Sequence, residues 1–131
     1  MQLTPDPRPP SEPGRRQYVA TELKRGMLLV RPVGPSIGQR EAPIILEEVR
    51  EIMRRAGREA RMLVIDLSDV SFVSSMGLGM CIDLRNQATQ QGARSVLLGL
   101  RPDVAQLFRM MRLERLYTIV KSADELERLA A

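Results

Sequence analysis

From Glu41 to Ala56 apolar residues recur every three or four positions, at Ala42, Ile45, Leu46, Val49, Ile52, Met53 and Ala56, which predicts an amphipathic helix. Pro43 falls in its first turn, where a missing N–H is harmless, and Gly57 behind Arg54-Arg55 predicts its stop. The next apolar run, Met62-Leu-Val-Ile-Asp-Leu67, does not alternate. A strand without alternation is one buried on both faces of a sheet. Ser95-Val-Leu-Leu-Gly-Leu100 reads the same way. Between the two runs, Met76 to Gln91 has helical spacing, with Met80, Cys81, Leu84 and Ala88 inward and Asp83, Asn86, Gln87 and Gln90 outward. A strand, a helix and a strand this close together predict a parallel crossover unit.

The flanks complete the pattern. Tyr18-Val-Ala-Thr-Glu22 and Met27-Leu-Leu-Val-Arg-Pro-Val33 predict two strands around a Lys24-Arg25-Gly26 turn, and Gly34-Pro-Ser-Ile-Gly38 reads as a loop. Pro102 starts a helix carrying Val104, Leu107, Phe108 and Met111. Leu116 to Val120 is a last short strand, and Ser122-Ala-Asp-Glu125 is a capping box opening a terminal helix with Leu126 and Leu129 on its apolar side. The expected fold class is α/β, a mixed sheet of four to five strands covered by about four helices. Residues 1–16 hold five of the nine prolines and almost no apolar side chains, so a disordered Pro/Arg-rich tail is expected ahead of one domain over residues 17–131.

Composition narrows the chemistry. The chain has no histidine, which removes the usual general base, the commonest zinc ligand and any Ser-His-Asp or Cys-His arrangement. The single cysteine, Cys81, has no partner for an internal disulfide and sits among apolar residues, as a buried inert thiol does. No signal-like segment and no apolar run of spanning length is present, so a cytoplasmic protein without membrane insertion is expected. The net charge is +4, and all but two of the cations are arginine. They are dispersed along the chain, several with acids at helical spacing such as Glu47 with Arg50 and Glu51 with Arg54 or Arg55. With few aromatics to stack bases, a solvated charged face is the expectation and nucleic acid is not an expected partner. Asp66 and Asp69 read as loop-capping residues rather than metal ligands. No cofactor is expected.

The stretch Asp66-Leu-Ser-Asp-Val-Ser-Phe-Val-Ser-Ser-Met-Gly-Leu-Gly79 carries the candidate chemistry. Two serines stand where a helix begins. Free N–H groups and the positive end of the helix dipole favour an added negative charge there. The same position is where serine serves as an N-cap. Gly77 and Gly79 cost about 1 kcal/mol each against alanine in a helix interior. Close approach of a partner's backbone, or close packing of helix on sheet, would each account for them.

These segments together resemble a STAS domain of the anti-sigma factor antagonist type. The resemblance covers about residues 18 to 130 and rests on four segments in order. They are Leu63-Val-Ile-Asp-Leu-Ser-Asp-Val, Ser71-Phe-Val-Ser-Ser-Met-Gly-Leu-Gly79, Gln91-Gly-Ala-Arg with Leu-Leu-Gly-Leu-Arg-Pro-Asp-Val after it, and Met111-Arg-Leu-Glu-Arg-Leu-Tyr-Thr-Ile before Ser122-Ala-Asp-Glu125. It implies a regulatory binding module and not an enzyme. Such a module binds a serine-kinase anti-sigma factor and is released when that kinase phosphorylates the start of the helix after the central strand. The family motif Asp-Ser-(Ser/Thr)-Gly-Leu-Gly, aligned on Gly77-Leu78-Gly79, puts the phosphoacceptor at Ser75, with Ser74 as the second candidate. It implies a partner-binding set of Ser74, Ser75, Met76, Gly77 and Gly79. Ser74 replaces the motif's Asp and Met76 its second hydroxyl. An ungapped alignment places Ile37 where many relatives carry a further acid. The alternative implied by those replacements is a non-phosphorylated accessory subunit of an ABC-type lipid transporter or of a signalling assembly.

Overall fold

A computed structural model describes residues 17–130. The expected tail over residues 1–16 lies outside them. Strands β1 (Val19–Lys24) and β2 (Met27–Pro32) form an antiparallel hairpin, and β2 then pairs in parallel with β4 (Met62–Asp66), β4 with β6 (Arg94–Leu98), and β6 with β7 (Thr118–Val120). The result is a five-stranded mixed sheet of order β1-β2-β4-β6-β7. Helices α1 (Glu41–Ala56), α2 (Ser75–Gln90), α3 (Pro102–Met110) and α4 (Ala123–Ala130) complete it, so the fold class is as expected.

The unalternating runs are explained by a core on each side of the sheet. Leu28, Val30, Leu63, Ile65 and Leu97 point to one face, where Val49 and Met53 of α1, Cys81 and Leu84 of α2, and Phe108 of α3 cover them. Met62, Val64, Val96 and Val120 point to the other, against Leu126 and Leu129 of α4. Both apolar sets of a central strand are therefore buried, and alternation has no reason to appear. Gln91, at the end of α2, donates from its side-chain amide to the carbonyls of Met53 and Gly57 at 2.9 and 3.2 Å, tying the end of α1 to that of α2. Each carbonyl already accepts one backbone N–H, from Gly57 and from Ala60, and the amide takes its second acceptor site.

Four expectations are corrected. Gly34–Gly38 is not all loop: β3 (Ser36–Ile37) pairs in parallel with β5 (Phe72–Val73), making a two-stranded ribbon at the end of the sheet. Strands of two residues have no periodicity to read. β6 stops at Leu98 because Gly99 turns the chain with φ of 73°. β7 begins at Thr118, since Leu113–Leu116 is a 3₁₀ turn. Met111 is exposed at the end of α3 rather than on its buried face.

Candidate functional site

The β3–β5 ribbon is the platform on which α2 starts. The Ser74 N–H donates to the Ile37 carbonyl at 2.9 Å, continuing the ribbon by one residue. Ser74 itself is extended and caps the helix: its Oγ accepts from the Gly77 N–H at 3.1 Å and donates to the same Ile37 carbonyl at 3.1 Å. Both capacities of the hydroxyl are thus engaged within the domain, as an N-cap requires. Ser75 is the first helical residue and is exposed, and its hydroxyl makes no hydrogen bond among the described residues. The fold separates the two serines into an inward cap and an outward hydroxyl.

The two glycines separate as well. A Cβ on Gly77 would lie 2.7 Å from the Ile37 carbonyl oxygen and 2.7 Å from Cγ1 of Val73, so helix packing on the ribbon demands glycine there. A Cβ on Gly79 would meet nothing within 4 Å. Gly79 instead lines an open groove of about 280 Å³ between α1 and α2, with Pro43, Leu46, Met76 and Asp83. Met76 is exposed beside it and Phe72 stands out from β5, 46% and 54% accessible, on either side of Ser75 in the chain. Of the implied partner-binding set, Ser75, Met76 and Gly79 reach the surface, while Ser74 and Gly77 support it from below. Phe72, Pro43 and Leu46 were not singled out from the sequence. An exposed aromatic in a chain with four aromatic residues was the available signal.

Electrostatically, α2 has no acidic residue in its first turn. The position of the expected further acid, Ile37, is a fully buried core residue that serves the site through its carbonyl alone. Nearby carboxylates are engaged: Asp69 bridges Arg31 at 3.0 Å, Glu41 accepts from the Gly38 N–H at 2.8 Å, and Asp66 accepts from the Ser68 N–H at 3.0 Å. Asp66 thus caps the loop, as read from the sequence, while Asp69 ties it to Arg31 of β2 instead. Cys81 faces away from this surface. Burial pushes its thiol up to about 12, and the Tyr117 hydroxyl, also raised by burial, donates to the Cys81 carbonyl at 2.6 Å. A thiol held protonated is a packing element, not a nucleophile. A second groove of about 430 Å³, floored by Met27, Leu29 and Leu98 beside Leu126, opens on the opposite face of the sheet and does not communicate with Ser75. No helix of the described residues is long and apolar enough to cross a membrane.

A family model described as the STAS domain matches residues 18–126. Among solved structures, an anti-sigma factor antagonist (STAS) domain protein from Planctomyces limnophilus is similar over 86% of this chain and 97% of its own, with 14% identity and a TM-score of 0.76. SpoIIAA of Bacillus, an anti-sigma factor antagonist, is similar in its phosphorylated form over 85% of this chain and 98% of its own, with 14% identity and a TM-score of 0.66. The murine anion transporter Slc26a9 is similar over 82% of this chain but 18% of its own, with 18% identity and a TM-score of 0.70. At these identities the structural likenesses show a shared fold.

Proposed function

The chain belongs to the STAS domain family, and from that premise we propose that it is an anti-sigma factor antagonist, a binding module whose Ser75 face docks on a serine-kinase anti-sigma factor. Phosphorylation of Ser75 by that partner ends the complex. The observation carrying this reading is the division of labour between the serines: Ser74 is engaged on both sides as the cap, while Ser75 is exposed at the first residue of α2. A phosphate there adds about −1.5 to −2 charges at neutral pH. With no acid in the first turn and the helix dipole behind it, the domain tolerates that charge. An apolar partner surface seated on Phe72 and Met76 does not, because burying an unpaired charge is costly. The switch therefore unbinds without unfolding.

The test is intact-mass analysis of the full chain after incubation with the anti-sigma kinase and ATP, together with co-purification of the two proteins. One phosphate mapping to Ser75, and a complex retained by Ser75→Ala but lost by Ser75→Asp, are expected. Association of both variants alike, with no added mass, overturns the switch. A second reading, a non-phosphorylated accessory subunit of a transporter or signalling assembly, is favoured by one observation: Ser74 stands where the family motif has Asp, so no carboxylate accompanies Ser75. Recovery in a membrane complex with phosphate-free mass under all conditions would select it.

A further inference from the structure

The sequence disperses its arginines, but the fold gathers them at the end of the molecule opposite Ser75. Met27, Met62 and Arg94 are register partners, so the starts of β2, β4 and β6 lie in one row. The Arg61 N–H donates to the Gly26 carbonyl at 2.8 Å, and the Arg94 N–H to the Arg61 carbonyl at 2.9 Å. The backbones of Lys24, Arg25, Arg61 and Arg94 therefore lie in one row across the strand starts, all four residues exposed, on strands about 4.8 Å apart. Arg61 lies back over the turn, its Nε 2.8 Å from where a Gly26 Cβ would be. Helix α1 ends at the same place and adds Arg54, Arg55 and Arg58. Between the ends of α1 and α2 is an open depression of about 540 Å³ lined by Arg54, Arg58, Thr89 and Gln90.

Of the acids at this end, Glu51 is bridged to both Arg54 and Arg55, and Glu22 and Glu127 line the groove that Lys24 and Arg25 also line. Among the described residues Lys24, Arg25, Arg58, Arg61 and Arg94 form no salt bridge. Arg25 also adopts a left-handed backbone, φ 53°, a position that asparagine or glycine fills with least strain. An arginine kept in such a position at a cost of about 1 kcal/mol fits a charge with a function.

We propose that this basic end is a second docking surface, separate from the Ser75 face and independent of the reading given to it, and that it takes an acidic segment of a protein partner. Guanidinium forks pair carboxylates bidentately. The Gln90 amide and Thr89 hydroxyl beside Arg54 and Arg58 can satisfy the backbone of an extended peptide. A single-stranded nucleic acid would want exposed aromatics to stack on. Tyr18 and Phe72 belong to the opposite end, and Phe108 and Tyr117 are buried.

The experiment is fluorescence anisotropy of a labelled poly-glutamate peptide of about ten residues titrated with the full chain at low and at physiological ionic strength, since ion pairing of exposed groups is screened by salt. Saturable binding that weakens with salt is expected, and Ser75→Asp leaves it unchanged. Arg58→Gln/Arg61→Gln/Arg94→Gln weakens it at least about tenfold, as loss of several charge-assisted pairs should. Circular dichroism and a melting curve establish that the triple variant is folded. If it is not, Lys24→Gln/Arg25→Asn, which suits the left-handed turn, carries the same expectation. Absence of saturable binding, or binding that the folded charge variant leaves within about twofold, overturns the proposal. Tighter binding to duplex DNA or to phosphatidylserine vesicles than to the peptide overturns the assignment to a protein partner.

Discussion

Ser74 and Ser75 are adjacent in sequence and opposite in duty. Removing the cap hydroxyl by Ser74→Ala also leaves the Ile37 carbonyl with one donor fewer, so a loss of about 1 kcal/mol in unfolding free energy is expected, measured by urea denaturation. Ser75→Ala changes the same measurement by less than about 0.5 kcal/mol, because the exposed hydroxyl makes no hydrogen bond among the described residues. Cys81 carries the pH dependence. Its proton is held up to about 12 when folded, against an ordinary 9.0, so the unfolded chain loses it first. Below pH 9 both states keep the proton and stability is undiminished. As pH rises from 9 toward 12 the unfolded state gains, and stability falls. The raised Tyr117 hydroxyl acts in the same direction. Urea midpoints taken through this alkaline range are expected to fall, with a shallower fall in Cys81→Ala.

Helix α2 shows why motif glycines need to be separated before they are interpreted. Gly77→Ala drives a methyl into the Ile37 carbonyl and Val73, and a loss of about 2 kcal/mol is expected from overpacking. Gly79→Ala finds open space and gains helix propensity, raising stability by up to about 1 kcal/mol. On the proposed function, the same methyl intrudes on the groove beside Met76 and weakens the partner complex. A stabilised domain with a weaker complex, read by melting curve and co-purification together, is the expected pair of results. Unchanged binding would detach Gly79 from the docking face. The helices themselves were legible from spacing: α1 spans Glu41–Ala56 as predicted, and α2 begins one residue earlier than Met76. The ribbon beneath α2 was not legible, because its strands join residues 36 positions apart through two pairs only.

Across the whole molecule the two faces of the sheet are held unequally. Three helices cover one side, while α4, eight residues long, covers the other through a small cluster around Leu126. Leu126→Ala is expected to cost about 3 kcal/mol, since few neighbours can close the cavity. A urea titration of the variant checks this. The distribution of charge is equally a property of the whole. Arginines read one at a time suggested a solvated face, yet parallel topology brings the starts of β2, β4, β6 and β7, and the end of α1, to one side.

Composition and periodicity alone determined the absence of histidine chemistry, the two-sided burial of β4 and β6, the order of the main elements and the place where a helix opens on paired serines. Each depends on neighbours within a few residues, which a linear sequence displays. Tertiary structure decided which serine faces inward, which glycine is indispensable, that Ile37 serves through its carbonyl, and that scattered arginines form one basic end. Those properties arise from contacts between segments far apart in the chain, and no local pattern encodes which side of a helix or which end of a sheet such segments will share.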